Sequence, residues 1–583
     1  MGQVTDLPRR PVLSDQPCYI DPAFGADDDA RADGSQMRPF KTLGYAYIQT
    51  IDKPESRYLV RTDPEATTQD SSADAEWKEP SKSAIKKAKG ALDGYRKKMA
   101  SQKLAEEEQQ KRRDKRLQEA KNITLKEDPS LDKARKITIG HKDIRLGDSD
   151  KKGERVKVSG RIHRLRPQKH ATFITLADGY GLLQCVLGAG DLTQSHDAVM
   201  FATGTCLTVY GQMAKVPPGQ SAPDNRELHV DYYVVIGQAP VDKDAMTNRV
   251  SSSQNAWDPQ MLDNRHLVLR GTSVSSLMKV RAAVELAFIQ AYAKLKFTKV
   301  SPPALVQTQV EGGSTLFKVP YYEEEAYLTQ TSQLYLETAI PSLGNVYCIE
   351  KSFRAEKSLT RRHLSEYTHV EAELDFIEFN DLLDHIEDII CTVIDTVLAD
   401  DEVAGYIKQL NPGFEPLPRP FMRMRYADAI KWLNEQDPPI LNENDEPHAF
   451  GDDIAEAAER AMTDAINRPI FLTHFPADLK AFYMKKDVED PRLTESVDLL
   501  VPGVGEIAGA SMRMENYEEL MQAFERHGIP PEGYYWYNEQ RLYGTSPHGG
   551  YGLGLERFLA WMANQHTVRN CCLYPRYMGR CRP

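Results

Sequence analysis

Three separated stretches of this chain gather charged residues where a folding argument alone would not put them. Between Tyr347 and Phe376, in YCIEKSFRAEKSLTRRHLSEYTHVEAELDF, strand-like ends enclose a polar loop that holds Arg354, Glu356, Arg361, Arg362 and His363. Two guanidinium forks on one loop suit bidentate contacts with a polyphosphate, which lysine point charges serve less well. Tyr367, four residues on, offers a ring face to a base. The stretch ESVDLLVPGVGEIAGASMRME sets Asp498 and Glu506 beside Gly509, Ser511 and Arg513. Hard oxygen ligands next to a phosphate site suggest magnesium, held by few carboxylates while the substrate supplies the other ligands. Its glycines, Gly503, Gly505 and Gly509, follow a G-x-G-x-x-x-G spacing without a crossover helix, which sets a dinucleotide loop aside. In PHGGYGLGLERFLAWM a glycine run that lets backbone lie flat against a ligand precedes Glu556 and Arg557, and then an apolar helix.

These stretches need a scaffold, and the pattern around them predicts one of α+β type with a large mixed sheet. Leu277, Val280, Val284, Phe288, Tyr292 and Leu295 recur at helical spacing and predict an amphipathic helix whose stripe faces either a core or a partner subunit. DLLDHIEDIICTVIDTVL and DIAEAAERAMTDAI read as further helices, YLTQTS and PIFLTHF as strands. Upstream, RVKVSGRIHRLRPQKHATFITLADGYGLLQCVLG alternates apolar and polar residues, with Asp178-Gly179 at a hairpin turn. CLTVYGQM and ELHVDYYVVIG add strands, so about five close an OB-like barrel near Gly237. Arg161, Arg164, Arg166, Lys169 and His170 crowd one of its hairpins beside Phe173, the combination of charge and ring that binds unpaired bases; the alternative puts Phe173 in the barrel core.

Composition bounds the rest. A chain of 583 residues is too long for one core, and its charge of −12 excludes a surface that coats nucleic acid everywhere. The sign reverses from Ser81 to Lys121, where fourteen Lys/Arg meet six Asp/Glu. Rich in Ala, Lys, Glu and Gln, that segment predicts a solvated helix, either a tRNA-binding arm or a charged linker. No apolar run approaches a bilayer span, the opening MGQVTDLPRRPV has no signal core, and the eight scattered cysteines form no C-x-x-C pair, so reduced thiols and a cytoplasmic location are expected. The expected organisation is a small appended domain and linker over 1–80, a basic helical extension over 81–125, the barrel over 150–240, a hinge over 241–270 and a catalytic domain over 271–583.

With the three stretches in this order, the sequence resembles the class II aminoacyl-tRNA synthetases of the aspartyl/asparaginyl/lysyl subgroup. Motif 1 resembles the helix and strand ending at Pro303, motif 2 FRAE followed by RRHLSEYTHVE, and motif 3 GLGLERF, over a match from about Lys151 to LYPRYMGRCRP. EGGSTLFKVPYY, TQTSQLYLET and THVEAE are similar to its eukaryotic cytoplasmic asparagine-specific branch, as is the basic extension. Ala177 departs from it, standing where relatives usually have arginine. The resemblance implies a catalytic domain on an antiparallel sheet flanked by helices, and a ligase that joins L-asparagine to tRNA(Asn) with ATP through an asparaginyl-adenylate. It implies catalytic roles for Arg354, Glu356, Arg362 and Arg557, with His363, Leu364, Tyr367, Glu506, Gly554 and Glu556 completing the ATP site. Glu506 and Asp498 would hold Mg2+. Asparagine would lie near Glu311, Ser332, Gln333, Glu337, Arg513 and His548. Arg166, Phe173 and Gln184 would read the anticodon, and a homodimer would form through the motif 1 helix, with no membrane partner. Aspartyl relatives carry lysine where this chain has Leu336, next to Glu337, an acceptor that suits an amide NH₂ and repels a carboxylate. The alternatives are an aspartyl-tRNA synthetase and a non-catalytic tRNA-binding paralogue.

Overall fold

The computed structural model describes residues 17–22, 25–27, 32–51, 56–61, 77–148, 150–241, 244–250, 259–310 and 316–583. It divides into units of residues 1–245 and 246–583.

In the first unit the period-two alternation folds as a closed barrel. Its strands are β1 (Arg155–Pro167), β2 (Ala171–Ala177), β3 (Leu182–Gly188), β4 (Cys206–Lys215) and β5 (Arg226–Gly237). The order is β1-β2-β3-β5-β4, and β4 pairs back onto β1; β3 and β5 run parallel, the other neighbours antiparallel. The alternate residues Val156, Val158, Ile162, Ile174, Leu176, Leu183 and Leu187 fill the interior. Asp178 ties the β2–β3 turn, accepting from the backbone N–H of Ile139 at 2.6 Å, Tyr180 at 2.9 Å and Gly181 at 3.2 Å, while Gly179 takes φ +92°. The basic segment is one long helix, α1 (Lys82–Ala120), capped by Ser81. Among its described side chains only the small Ala88 and Ala120 are buried, as a helix without an apolar stripe requires. Ahead of it, short strands at Cys18–Ile20, Tyr58–Arg61 and Trp77–Lys78 and a helix at Leu43–Gln49 enclose a small core of Cys18, Ile20 and Phe40.

The second unit is built on an eight-stranded sheet flanked by helices. In chain order come α2 (Thr272–Lys294), β6 (Thr298–Lys299), α3 (Gln333–Leu343), β7 (Val346–Phe353), β8 (Glu366–Asp375), α4 (Phe379–Leu398), β9 (Met422–Arg425) and α5 (Glu456–Ile466). They are followed by β10 (Ile470–Thr473), β11 (Ser496–Val501), β12 (Gly505–Met512), β13 (His548–Gly554) and α6 (Leu555–Met562). Strand order is β6-β7-β8-β13-β12-β11-β10-β9, antiparallel through the middle with a parallel pair at each edge. Helices α2, α4 and α6 share one apolar core with Tyr347, Val370, Ala372, Leu374 and Leu553 of the sheet. The stripe of α2 belongs to that core: Leu277, Val280, Val284, Phe288 and Tyr292 are buried within the chain, and the Tyr292 ring stacks on Tyr347 at 4.2 Å. As far as Tyr292 the stripe therefore serves the chain's own core, while Leu286 on α2 and Leu295 just past its end stay exposed.

The strand expected at YLTQTS stops at Leu328. Beyond it the backbone turns to serve a carboxylate: Ser332 N–H donates to both oxygens of Glu371 at 3.0 Å, and the Thr331 hydroxyl donates to the same group. That turn starts α3.

Candidate functional site

The alternation of β8 sorts its residues onto two faces. Val370, Ala372 and Leu374 enter the core, so Tyr367, His369, Glu371 and Glu373 point the other way, into a cavity of about 280 Å³. A β-bulge performs the same sorting on β12. The register against β11 shifts between Leu499 and Leu500, so that Asp498 faces Gly509 while Leu500 faces Glu506. A bulge adds one residue and flips what precedes it to the other face, which brings Glu506 onto the cavity side with Gly509 and Arg513. The β13 glycines complete the floor. A Cβ on Gly550 would collide with the Glu373 carboxylate, and one on Gly552 with the His369 ring.

At one end stand the arginines. Arg362, 12% exposed, lies 3.4 Å from both Glu456 and Glu459. Arg557 donates to Glu506 Oε2 at 2.8 Å. The Arg354 guanidinium sits 5.5 Å over the Tyr367 ring and 3.9 Å from Glu356, whose other oxygen is 3.5 Å from His363 Nε2. Leu364 and Gly554 line the same cavity. Glu556 reaches its wall but spends its carboxylate inside the fold, accepting from Arg281 at 2.8 Å and from Thr368 N–H at 2.9 Å, so direct contact with a nucleotide is not what this geometry offers.

Asp498 and Glu506 converge: Asp498 Oδ1 and Glu506 Oε1 each lie 3.4 Å from the point a Cβ on Gly509 would occupy. Two hard carboxylates over an open glycine fit a divalent cation that takes its other ligands from phosphate and water. Among the described residues no cluster of three or more His, Cys, Asp or Glu could hold a metal by itself. The two acids are held differently. Lys480 Nζ is 2.8 Å from Asp498 and 3.7 Å over the Phe475 ring. Burial raises the Asp498 carboxyl, against the pull of Lys480, whereas for Glu506 the charges of Arg557, Arg362 and Lys480 outweigh burial and keep it ionised. Glu459 is pushed up to about 8 by burial, then by Glu506, with Arg362 opposing.

At the other end Gln333 and Arg513 face the cavity. Arg513 makes a bidentate pair with Glu373 at 2.9 and 3.0 Å and donates to Ser511 Oγ at 2.6 Å. Ser332, Glu337 and His548 are brought beside them but buried behind the wall. Glu337 is the centre of a closed network: Arg541 at 2.7 Å and His548 at 3.2 Å on Oε2, Gln333 Nε2 at 3.0 Å and Arg513 Nε at 3.8 Å on Oε1. The acceptor expected from the sequence is therefore a carboxylate already shared among three hydrogen-bond partners and the nearby Arg513 charge. Burial raises its carboxyl, but Arg541, His548 and Arg513 together bring it well below the ordinary range. Glu311 lies outside the described residues.

On the barrel Arg166 and Phe173 are register partners, with the guanidinium 5.8 Å from the ring. Arg166 donates to Gln184 Oε1 at 2.9 Å, and Gln184 donates to Glu227 at 3.0 Å. Phe173 is half-buried and absent from the barrel core, so its ring belongs to the outer face.

Sequence reasoning missed several residues of this unit that shape the site, Glu373, Glu459, Lys480 and Arg541 among them. Glu373 had a signal in the His369-Glu371-Glu373 alternation. The other three look like ordinary surface charges in their own segments.

Residues 258–578 match the family model for tRNA synthetases class II (D, K and N), 35–132 that for the Asparaginal-tRNA synthetase N-terminal domain, and 156–236 that for the OB-fold nucleic acid binding domain. A Saccharomyces cerevisiae protein named cytoplasmic asparagine–tRNA ligase is 52% identical over 574 residues, covering 97% of this chain and 99% of the relative. The Homo sapiens protein of that name is 46% identical over 566 residues, covering 97% and 99%. The solved structure of Entamoeba histolytica asparaginyl-tRNA synthetase in complex with asparaginyl-adenylate is 44% identical, covers 74% of this chain and 97% of its own, and has a TM-score of 0.69. That of the Pyrococcus horikoshii enzyme, also with asparaginyl-adenylate, is 32% identical, covers 74% and 96%, and has a TM-score of 0.68.

Proposed function

The chain belongs to the class II tRNA synthetases of the D, K and N group, as an asparagine–tRNA ligase, and from that footing we propose how its residues divide the reaction. It joins L-asparagine to tRNA(Asn) with ATP by way of asparaginyl-adenylate, releasing pyrophosphate and then AMP. The compartment is the cytoplasm, as the relatives' names have it.

One observation supports the assignment of the site: Arg354, Arg362 and Arg557 converge on a single cavity that also receives Gln333 and Arg513. The span of β8 from Tyr367 to Glu373, six residues at ~3.3 Å each, gives roughly 20 Å, room for a nucleotide at one end and an amino acid at the other. Tyr367 stacks on adenine between His363 and Leu364, with Glu356 fixing His363. Arg354 takes the α-phosphate, and Arg362 and Arg557 take the γ-phosphate once it displaces their own carboxylate partners. Gln333 and Arg513 orient asparagine, with Ser332, Glu337 and His548 fixing them from behind. A carboxylate oxygen of asparagine then bonds to the α-phosphorus as the bond to the bridging oxygen breaks, and the electron pair leaves with pyrophosphate. No side chain need act as nucleophile. The chain's contribution is alignment, and fixed guanidinium charge that offsets what develops on the phosphorus. Magnesium held by Glu506 and Asp498 would add charge neutralisation at the phosphates. The terminal adenosine hydroxyl of the tRNA next attacks the adenylate carbonyl, and AMP leaves.

Amino-acid-dependent ATP–pyrophosphate exchange tests this directly. Exchange should depend on asparagine, and equal exchange with aspartate would refute it. We also propose that Arg166, Phe173 and Gln184 contact anticodon bases and that two copies of the chain pair. Since the α2 stripe is used internally as far as Tyr292, the surface this helix leaves for pairing is its outer side, where Leu286 and, just beyond its end, Leu295 are exposed. Sedimentation at micromolar concentration should give a dimer; a fully active monomer would rule it out.

A further inference from the structure

Beside the nucleotide cavity lies a second one, of about 290 Å³, into which Arg361, Arg362, Arg460, His566 and Glu456 face. The two cavities share Arg362 and Val568 in their walls. Glu456 is the one carboxylate of this lining among the described residues, against three guanidinium groups. Of those, Arg362 is engaged with Glu456 and Glu459, and Arg361 Nη1 is 3.3 Å from His566 Nδ1. Arg460 reaches Asp464, outside the lining, only at 4.0 Å, and its buried Nε makes no hydrogen bond. Arg460 thus lines the cavity with no hydrogen-bonded acceptor among the described residues, and an anion held there would give its guanidinium one. The wall between the cavities is tied down: Val568 N–H and Thr567 Oγ1 both donate to the Arg361 carbonyl, at 3.0 and 2.9 Å.

We propose that this second cavity binds pyrophosphate on its way out of the enzyme, receiving it from the nucleotide cavity across Arg362. The inference rests on the reading above, in which Arg362 holds the γ-phosphate. In-line attack expels pyrophosphate on the side away from asparagine, while the adenylate still fills the space between Tyr367 and Arg513. The polyanion leaves past Arg362, whose other face already lines the second cavity. There Arg361, Arg460 and the imidazole of His566 replace the contacts it gives up, so no step exposes it to a wall without donors.

The test uses the full-length protein with its nucleotide cavity filled by a non-hydrolysable asparaginyl-adenylate analogue. Inorganic pyrophosphate is titrated in by calorimetry, with inorganic phosphate as comparison. Pyrophosphate should bind the wild-type complex, roughly tenfold less tightly in Arg460→Met, as losing one charge-assisted contact implies. Arg460→Lys, which keeps the charge, should recover part of the loss. In exchange assays the Michaelis constant for pyrophosphate should rise by the same factor in Arg460→Met, with those for ATP and asparagine unchanged. Absence of pyrophosphate binding to the filled wild type, or unchanged binding in Arg460→Met, overturns the proposal. So does a rise confined to the tRNA constant, which would assign the patch to nucleic-acid phosphates. Absence of asparagine-dependent exchange in the wild type would instead sink the functional reading beneath it.

Discussion

Glu337→Gln keeps the size of a side chain and removes its charge. Glu337 Oε2 and Arg541 Nη2 are 2.7 Å apart and both side chains are fully buried. An effective dielectric of about 20 puts their attraction at roughly 6 kcal/mol, most of it offset by desolvation, and breaking such pairs costs about 3–5 kcal/mol. The lower end applies, because a glutamine carbonyl still accepts from Arg541, which also keeps Met514 O at 2.9 Å, the Tyr537 hydroxyl at 3.0 Å and the Tyr537 ring at 4.2 Å. The catalytic unit should therefore lose about 3 kcal/mol in denaturant titrations. Combining the change with Arg541→Met should cost less than the sum of the single changes, since the partners share one interaction. Selectivity supplies a second readout. Removing a carboxylate charge just behind the amino-acid end weakens the exclusion of aspartate, so the ratio of kcat/KM for asparagine over aspartate should fall in pyrophosphate exchange. An unchanged denaturation midpoint with an unchanged ratio would show that Glu337 does neither job.

Phe173→Ala should raise the Michaelis constant for tRNA roughly 5- to 150-fold, the effect of about 1–3 kcal/mol of lost base stacking, while sparing pyrophosphate exchange; equal losses in both would contradict the outward placement of the ring. Deleting residues 1–121 should raise the tRNA constant and flatten its salt dependence, and an unchanged constant across salt concentrations would leave α1 a spacer. For His548, burial lowers the imidazole's affinity for a proton, but the hydrogen bond and charge of Glu337 overcome it and raise the group above its ordinary 6.5. A raised histidine stabilises the fold fully below that ordinary value, and the contribution is lost as pH rises through the raised one. The denaturation midpoint of the wild type should decline over that window more steeply than that of His548→Gln; parallel profiles would refute the coupling.

The charged and aromatic residues of the three stretches were legible as one group, since Arg354, Arg362, Tyr367, Asp498, Glu506 and Arg557 all reach one cavity. The barrel was legible too, because period-two alternation and the Asp178-Gly179 turn are local signals. Partners were not. Lys480 meets Asp498 across 18 residues and Arg541 meets Glu337 across 204, and each looks in its own segment like a solvated charge. Only tertiary burial turns them into counter-charges. The stripe of α2 stayed open between a core and a partner for a related reason: periodicity shows that a helix has an apolar face, not whose core receives it.

The glycines of β13 have a consequence for how this gene can drift. Every coding change of a single base in a glycine codon introduces a larger side chain, so positions 550 and 552 have no conservative neighbour to pass through. At Gly550 the newcomer meets the Glu373 carboxylate that pairs with Arg513, and at Gly552 it meets the His369 ring. At Gly550 the added carbon also meets the Ala372 carbonyl of the neighbouring strand, so an allele there disturbs the sheet itself, whereas one at Gly552 strikes side-chain atoms of His369 at the cavity floor. Variants at Gly552 should surface as loss of charging capacity with near-normal amounts of protein, whereas alleles at Gly550 or at the Glu337–Arg541 pair should lower abundance itself.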